Sequence, residues 1–273
     1  MCIQTAARVI SQSDCLWIGA GAGIGVDSGL PDFRGDEGFW KAYPPLKRLG
    51  LTFYDMANPQ SFHGDPTRAW AFYGHRLQRY RSTRPHRGFQ ILRSWCQELG
   101  KDSYVFTSNV DGHFQSAGFC EENIVECHGT IHRLQCSRPC NPNTWSCRGT
   151  QVHVKMDEFR AVPPLPSCPC CDSIARPNIL MFQDDQWISN DCREQLDRYE
   201  QWLTSHGNSR MSVIEIGAGT AVPTVRIEAE RLAAFPNATL IRINPRESQC
   251  GSGDLSIDRT AMEAIQLLDP LIR

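Results

Sequence analysis

Apolar residues in this chain come in short runs closed by turn residues, and the runs alternate with stretches of helical spacing. Cys15-Leu16-Trp17-Ile18 is the first run. Ser103-Tyr104-Val105-Phe106, Ile124-Val125-Glu126-Cys127, Ile179-Leu180-Met181-Phe182, Ser212-Val213-Ile214-Glu215-Ile216 and Ala238-Thr239-Leu240-Ile241-Arg242-Ile243 follow. Runs this short and continuous suit strands buried on both faces, as in a parallel sheet covered by helices. Residues 1–14 read as an opening helix. Trp70, Tyr73, Leu77 and Tyr80 recur along one face of a helix that begins at Pro66 and stops before Pro85. Gly88 to Leu99, Val225 to Phe235 and 259–272 supply further helices. The pattern predicts an α/β fold, a Rossmann-like parallel sheet with helices on both faces.

Two interruptions set the expected domain organisation. Residues 35–85 open with Gly35-Asp36-Glu37-Gly38-Phe39-Trp40, Pro44-Pro45 and Asn58-Pro59, a loop-rich stretch with aromatic anchors. They are predicted to form a helical insertion over the ligand-binding edge. Residues 133–175 form a cysteine-rich insertion. The sheet domain is then 1–34, 86–132 and 176–273. No internal repeat or low-complexity segment is present.

The chain has 273 residues, 41% hydrophobic and 21% charged, which is ordinary for a globular protein. A net charge of −2 offers no general attraction to nucleic acid or an anionic membrane. No apolar run approaches the ~20 residues of a membrane span, and residues 1–8 lack the charged and apolar regions of a secretory signal. The expectation is a cytoplasmic protein with no membrane and no direct nucleic-acid partner.

Of thirteen cysteines, Cys136, Cys140, Cys147, Cys168, Cys170 and Cys171 crowd into one segment. An odd count without a signal argues against a disulfide framework. Cys136-x3-Cys140 and Cys168-x2-Cys171 are two close pairs joined by an excursion, the usual form of a four-thiolate structural Zn²⁺ site. Cys147 and Cys170 could substitute. Between the pairs Arg148, Lys155 and Arg160 are offset by Asp157 and Glu158, so the small zinc module carries no basic stripe.

The first strand breaks into Gly19-Ala20-Gly21-Ala22-Gly23-Ile24-Gly25, a turn that lets backbone approach a pyrophosphate, with a helix N-terminus to follow. It departs from the common dinucleotide fingerprint, because Ile24 and Val26 stand where a third glycine belongs. Gly217-Ala218-Gly219-Thr220 repeats the strand-to-glycine turn later in the chain. Thr107-Ser108-Asn109-Val110-Asp111 and Glu126-Cys127-His128-Gly129 each follow a strand, which places them at the ligand-binding edge.

Taken with Gly29-Leu30-Pro31-Asp32-Phe33-Arg34, Arg176-Pro177 leading to Phe182, and Ile243-Asn244, these pieces occur in the order of the sirtuin family. The chain resembles that family over roughly residues 10–268. The resemblance implies an NAD-consuming enzyme that removes acyl groups from lysine side chains of protein substrates. The acyl oxygen would attack the ribose carbon as nicotinamide leaves, giving free lysine and O-acyl-ADP-ribose. It makes His128 the general base, and Asn109 and Asp111 the residues that position the nicotinamide ribose. It assigns NAD contacts to Gly21, Ala22, Gly23, Asp32, Phe33, Arg34, Ser108, Gly217, Gly219 and Asn244. Asp32 would hold the carboxamide, and Phe33 would shield the reactive carbon. Ile179 and Phe182 would border the substrate. Tyr73-x-x-Arg76 resembles the signature of members that accept succinyl, malonyl or glutaryl lysine. A phenol and a guanidinium one helical turn apart can both reach a carboxylate.

Four positions depart from the family pattern. Gly25 replaces a serine, Ser108 replaces a glutamine, Gly219-Thr220 replaces Gly-Thr-Ser, and Gln183-Asp184 replaces Gly-Glu in the substrate loop. Mono-ADP-ribosyl transfer or NAD hydrolysis is the alternative chemistry, and NAD sensing without catalysis a further one.

Overall fold

The computed structural model describes residues 2–31 and 35–273. Its strands are β1 (Cys15–Ala20), β2 (Asp102–Thr107), β3 (Ile124–Glu126), β4 (Gly129–Cys136), β5 (Trp145–Ser146), β6 (Val154–Lys155), β7 (Arg160–Ala161), β8 (Ala175–Ile179), β9 (Met211–Ile216), β10 (Ala238–Ile243) and β11 (Leu255–Ile257). Six of them form one parallel sheet in the order β11-β10-β9-β1-β2-β3. Every residue of β1 and β9 is buried, as their unbroken apolar runs require.

The helices are α1 (Cys2–Gln12), α2 (Gly23–Val26), α3 (Gly35–Ala42), α4 (Pro44–Arg48), α5 (Phe53–Met56), α6 (Gln60–Gly64), α7 (Pro66–Ser82), α8 (Arg87–Glu98), α9 (His113–Ser116), α10 (Asn190–His206), α11 (Thr224–Ala233) and α12 (Ala261–Ile272). One face of the sheet packs Ile18, Val105, Ile214 and Ile241 against Ala6 and Ile10 of α1, Leu92 and Trp95 of α8, and Ile265 and Leu268 of α12. The other packs Trp17, Phe106 and Val213 against Tyr199 and Trp202 of α10 and Val225 and Leu232 of α11. The expected α/β sheet with helices on both faces is what forms. No helix among the described residues is long and apolar enough to cross a membrane.

One expected strand is reassigned. The run Ile179–Phe182 was to join the parallel sheet, but β8 occupies Ala175–Ile179 and pairs antiparallel with β4 in a second sheet, β5-β4-β8. Pro177 explains the placement: it cannot donate to a ladder, and β8 is an edge strand where one missing donor is tolerated. The sixth place in the parallel sheet goes to β11, whose three residues are too short to register as an apolar run. The small sheet starts at Gly129 and ends at Ile179, so β4 and β8 run across the edges expected at 132/133 and 175/176.

The 35–85 segment forms four short helices and then α7. Asp65 caps α7 by accepting the Arg68 amide, and Pro66 occupies its first turn. Phe39, Tyr43 and Phe72 meet edge-on or tilted with centroids 5.2 to 5.8 Å apart. This aromatic cluster shares a core with Trp70, Tyr73, Ile131, Leu134 and Phe159, which ties the helical segment to the small sheet.

Candidate active site

The glycine turns after β1 and β9 meet where the strand order reverses, the place where open α/β sheets bind ligands. Gly21 N donates to Ile216 O and Gly23 N to Gly217 O, both at 3.0 Å. A Cβ on Gly21 would lie 2.6 Å from Ala218 Cα, and one on Gly23 2.7 Å from Gly217 Cα. Only glycine permits this contact. The helix expected after the first turn is α2, which is only four residues long. The amides of Gly21, Gly23, Ile24 and Gly25 are also spent on internal carbonyls. These glycines therefore serve backbone apposition, while Ala22 between them is exposed.

Asn109 is locked to this turn. Its Nδ2 donates to Gly21 O at 3.0 Å and its backbone N to Thr107 Oγ1 at 3.0 Å, while Ser108 N donates to Ala20 O at 3.1 Å. Asp111 is 8% exposed and accepts the His113 amide on Oδ1 at 2.9 Å. A Cβ on Gly25 would stand 3.9 Å from Asp111 Oδ2, so the glycine in place of serine withholds a neighbour from this carboxylate. His132, which sequence reasoning missed, pairs its Nε2 with Asp111 O at 2.8 Å and fixes the loop from the far side.

His128 follows β3 and is half-buried. Its Nε2 lies 3.2 Å from Thr224 Oγ1, a second partner that no sequence signal marks beyond a helix start after Pro223. Burial lowers the imidazole pKa below its ordinary value, and a hydrogen bond with the Ser108 backbone opposes that only in part. The ring is neutral near pH 7 and able to take a proton. Gly129 is needed beside it: φ is +72°, and a Cβ would lie 2.2 Å from Asn178 O. Glu126, also missed, is 6% exposed, with an Oε1 that has no hydrogen-bond partner among the described residues. Burial pushes its carboxyl up to about 8, with the Asp111 charge adding to the rise.

Asn244 is fully buried. Its Nδ2 donates to Ala218 O at 2.9 Å, and Oδ1 accepts from Arg246 N and Glu247 N, so in this structure it braces the second glycine turn. Gly217 (φ +62°) and Gly219 form that turn, and Thr220 Oγ1 reaches Glu247 Oε1 at 2.7 Å. Asp32, Phe33 and Arg34 lie outside the described residues.

In the stretch expected to border the substrate, Ile179 is 6% exposed and belongs to the small-sheet core. Phe182 packs on Tyr54 with centroids 4.7 Å apart, and its N donates to Ala57 O at 2.9 Å. Asp184, the departure in this loop, is its anchor. Both carboxylate oxygens meet Arg176 Nη1 and Nη2 at 2.8 Å, with both side chains at 0% exposure. Gln183 takes the left-handed conformation (φ 55°) that a glycine would hold without strain.

Tyr73 and Arg76 sit inside α7's buried face. The Tyr73 hydroxyl is fully buried with no hydrogen-bond partner among the described residues. Arg76 is 8% exposed, its guanidinium 5.2 Å from the centroid of Phe72 and 5.6 Å from that of Tyr73.

Cys136, Cys140, Cys168 and Cys171 converge, with all four sulfurs within 4.8 Å of one another and the Cys136–Cys171 and Cys140–Cys168 pairs at 3.7 Å. Four thiolates about 2.3 Å from a tetrahedral Zn²⁺ stand about 3.8 Å apart, so the donor set and spacing fit zinc. Cys170 is exposed and outside the cluster, and Cys147 is buried against Arg81 Nη2 at 3.1 Å. With four protein ligands the metal has no open position and is structural.

The Sir2 family model matches residues 21–205. A relative from Aeropyrum pernix named NAD-dependent protein deacylase is 28% identical over 97% of this chain and 96% of its own length. One of the same name from Pyrococcus abyssi is 31% identical over 72% of this chain and 70% of its own. The solved structure of a Sir2 homolog–NAD complex matches with a TM-score of 0.71 at 24% identity, covering 98% of this chain and 93% of that one, which shows the shared fold.

Proposed function

The chain belongs to the Sir2 family, and we infer from its site that it is an NAD-dependent protein-lysine deacylase. The observation that carries this is the half-buried His128, on the carboxyl edge of the sheet that also holds Asn109, Asp111 and the apposed glycine turns. NAD, when bound, supplies the ribose carbon that accepts the acyl oxygen as nicotinamide departs; one water is consumed per turnover to release the lysine amine and leave O-acyl-ADP-ribose. Neutral His128 takes the proton of a ribose hydroxyl at a ring nitrogen, with Thr224 fixing the ring. The Asp111 carboxylate and the Asn109 amide orient the ribose and favour positive charge developing beside them. Asp32 holds the carboxamide, Phe33 shields the ribose carbon from premature attack by water, and Ala22, Ser108 and Gly219 border the phosphates and adenine-side ribose. Four thiolates hold Zn²⁺ and keep β4 and β8 in register. Ile179 and Phe182 border the substrate backbone.

The acyl preference is for acidic chains. A buried phenol without a partner is destabilising, and the Tyr73 hydroxyl beside the Arg76 cation offers a carboxylate two donors of complementary charge. An odd number of cysteines, four of them gathered as a metal-ligand set, favours a reducing, cytoplasmic setting over a disulfide framework.

Two variants test the reading. His128→Ala abolishes turnover while NAD still binds by calorimetry. Arg76→Met lowers kcat/KM on succinyl-lysine peptide far more than on acetyl-lysine peptide; equal loss on both removes the case for the acidic preference.

A further inference from the structure

Tyr80 lies one helical turn beyond Arg76 on α7 and is 8% exposed. Its hydroxyl oxygen accepts two N–H groups of that arginine, from Nε at 3.1 Å and from Nη2 at 2.7 Å. We propose that Tyr80 is a positioning residue for acyl-chain choice, fixing the Arg76 guanidinium and directing its own O–H to the carboxylate of an acidic acyl group. The proposal rests on the reading of Tyr73 and Arg76 as the residues that meet the acyl end.

Helix geometry and hydrogen-bond direction support it. Positions 73, 76 and 80 are spaced i, i+3 and i+7, so all three share one face of α7. A guanidinium carries donors and no acceptor, so a phenol that accepts from it must point its own hydrogen elsewhere. Accepting from a cation also polarises that O–H and makes it a stronger donor to an anion. The rings of Phe72, Tyr73 and Tyr80 all stand 5.2 to 5.6 Å from the guanidinium carbon, which limits its swing. The phenol oxygen then selects one rotation within that slot. An arginine aimed in advance loses less freedom when a carboxylate arrives. An acetyl group has no carboxylate and draws nothing from this arrangement.

The test is a double-mutant cycle on acetyl- and succinyl-lysine peptides of one sequence. Tyr80→Phe keeps the ring and its stacking and removes only the oxygen. It is expected to cut succinyl kcat/KM by about 10- to 100-fold, mainly through KM, the range for losing a hydrogen bond to a charged group. The succinyl-to-acetyl ratio falls with it, and because that ratio is internal to each preparation, any misfolded fraction cancels. In the Arg76→Met background the same change costs clearly less, because only the direct O–H bond to the carboxylate is left to lose. An unchanged ratio in Tyr80→Phe, or a full second loss in the Arg76→Met background, overturns the role of Tyr80. An unchanged ratio in Arg76→Met itself overturns the acyl-end reading on which it rests.

Discussion

Asp184 stands where the family pattern has glutamate, and its replacement by alanine is the most informative single perturbation of the substrate loop. The carboxylate makes two 2.8 Å contacts with Arg176 and accepts the Met181 amide at 3.3 Å, with no exposure on either side chain of the pair. Alanine leaves a guanidinium stranded away from water. Breaking one side of a buried pair costs about 3–5 kcal/mol, a large share of a typical total of about 5–15 kcal/mol. At about 2–4 °C per kcal/mol for a chain near this size, Tm falls by roughly 6–20 °C. The loop should also loosen, since Gln183 holds its left-handed backbone only while the next residue is pinned. KM for peptide is then expected to rise more than kcat falls. Urea titration with thermal melts measures the first effect and steady-state kinetics the second. The double variant Arg176→Met/Asp184→Leu removes both charges and should recover most of the stability. A loss below about 1 kcal/mol in Asp184→Ala would refute the reasoning, because it would mean that Arg176 finds water or another partner at little cost.

Three further outcomes follow from the site. Burial lowers the His128 pKa, and the neutral ring is the active form, so activity is lost only as pH falls through a value below 6.5. A kcat/KM profile with its acid limb at or above 6.5 contradicts this. Glu126 is raised from 4.5 to about 8 by burial, so the native state binds the extra proton between those values. Its contribution to stability is full below 4.5 and lost as pH rises through 8. Glu126→Gln should therefore gain on the order of 5 kcal/mol relative to wild type across that window; parallel stability curves would rule it out. Cys168→Ser, or chelation of the metal, should melt the small module and release zinc to a colorimetric dye, whereas Cys170→Ser should leave metal content at one ion per chain.

Much of the fold could be read from local pattern because β1, β9 and β10 are almost continuously apolar and the glycine turns follow directly. What escaped was set by partners distant in the chain. β8 joins the small sheet because Pro177 needs an edge, and β11 is defined only by its ladder with β10. α10 buries Cys192, Tyr199, Trp202 and Leu203 at helical spacing, yet most of its other residues are polar and solvated, which hides the stripe. At the proposed site, Asn109, Asp111 and His128 were marked by their places after strands and by the family resemblance, and the four cysteines by their spacing. Thr224 and His132 stand at the site through contacts across the fold, and Glu126 through its burial, and no spacing rule encodes those. Gln183-Asp184 read only as a departure from the family pattern, and no local signal links Asp184 to Arg176, whose buried pair with it supports the loop.

The central claim is that acyl transfer to the ribose is coupled to nicotinamide release. Incubating the protein with NAD and a succinyl- or acetyl-lysine peptide, and quantifying products by mass spectrometry, tests it directly. One nicotinamide, one deacylated lysine and one O-acyl-ADP-ribose should appear per turnover, and none without peptide. Nicotinamide released at the same rate with peptide omitted, or ADP-ribose attached to protein, would contradict it.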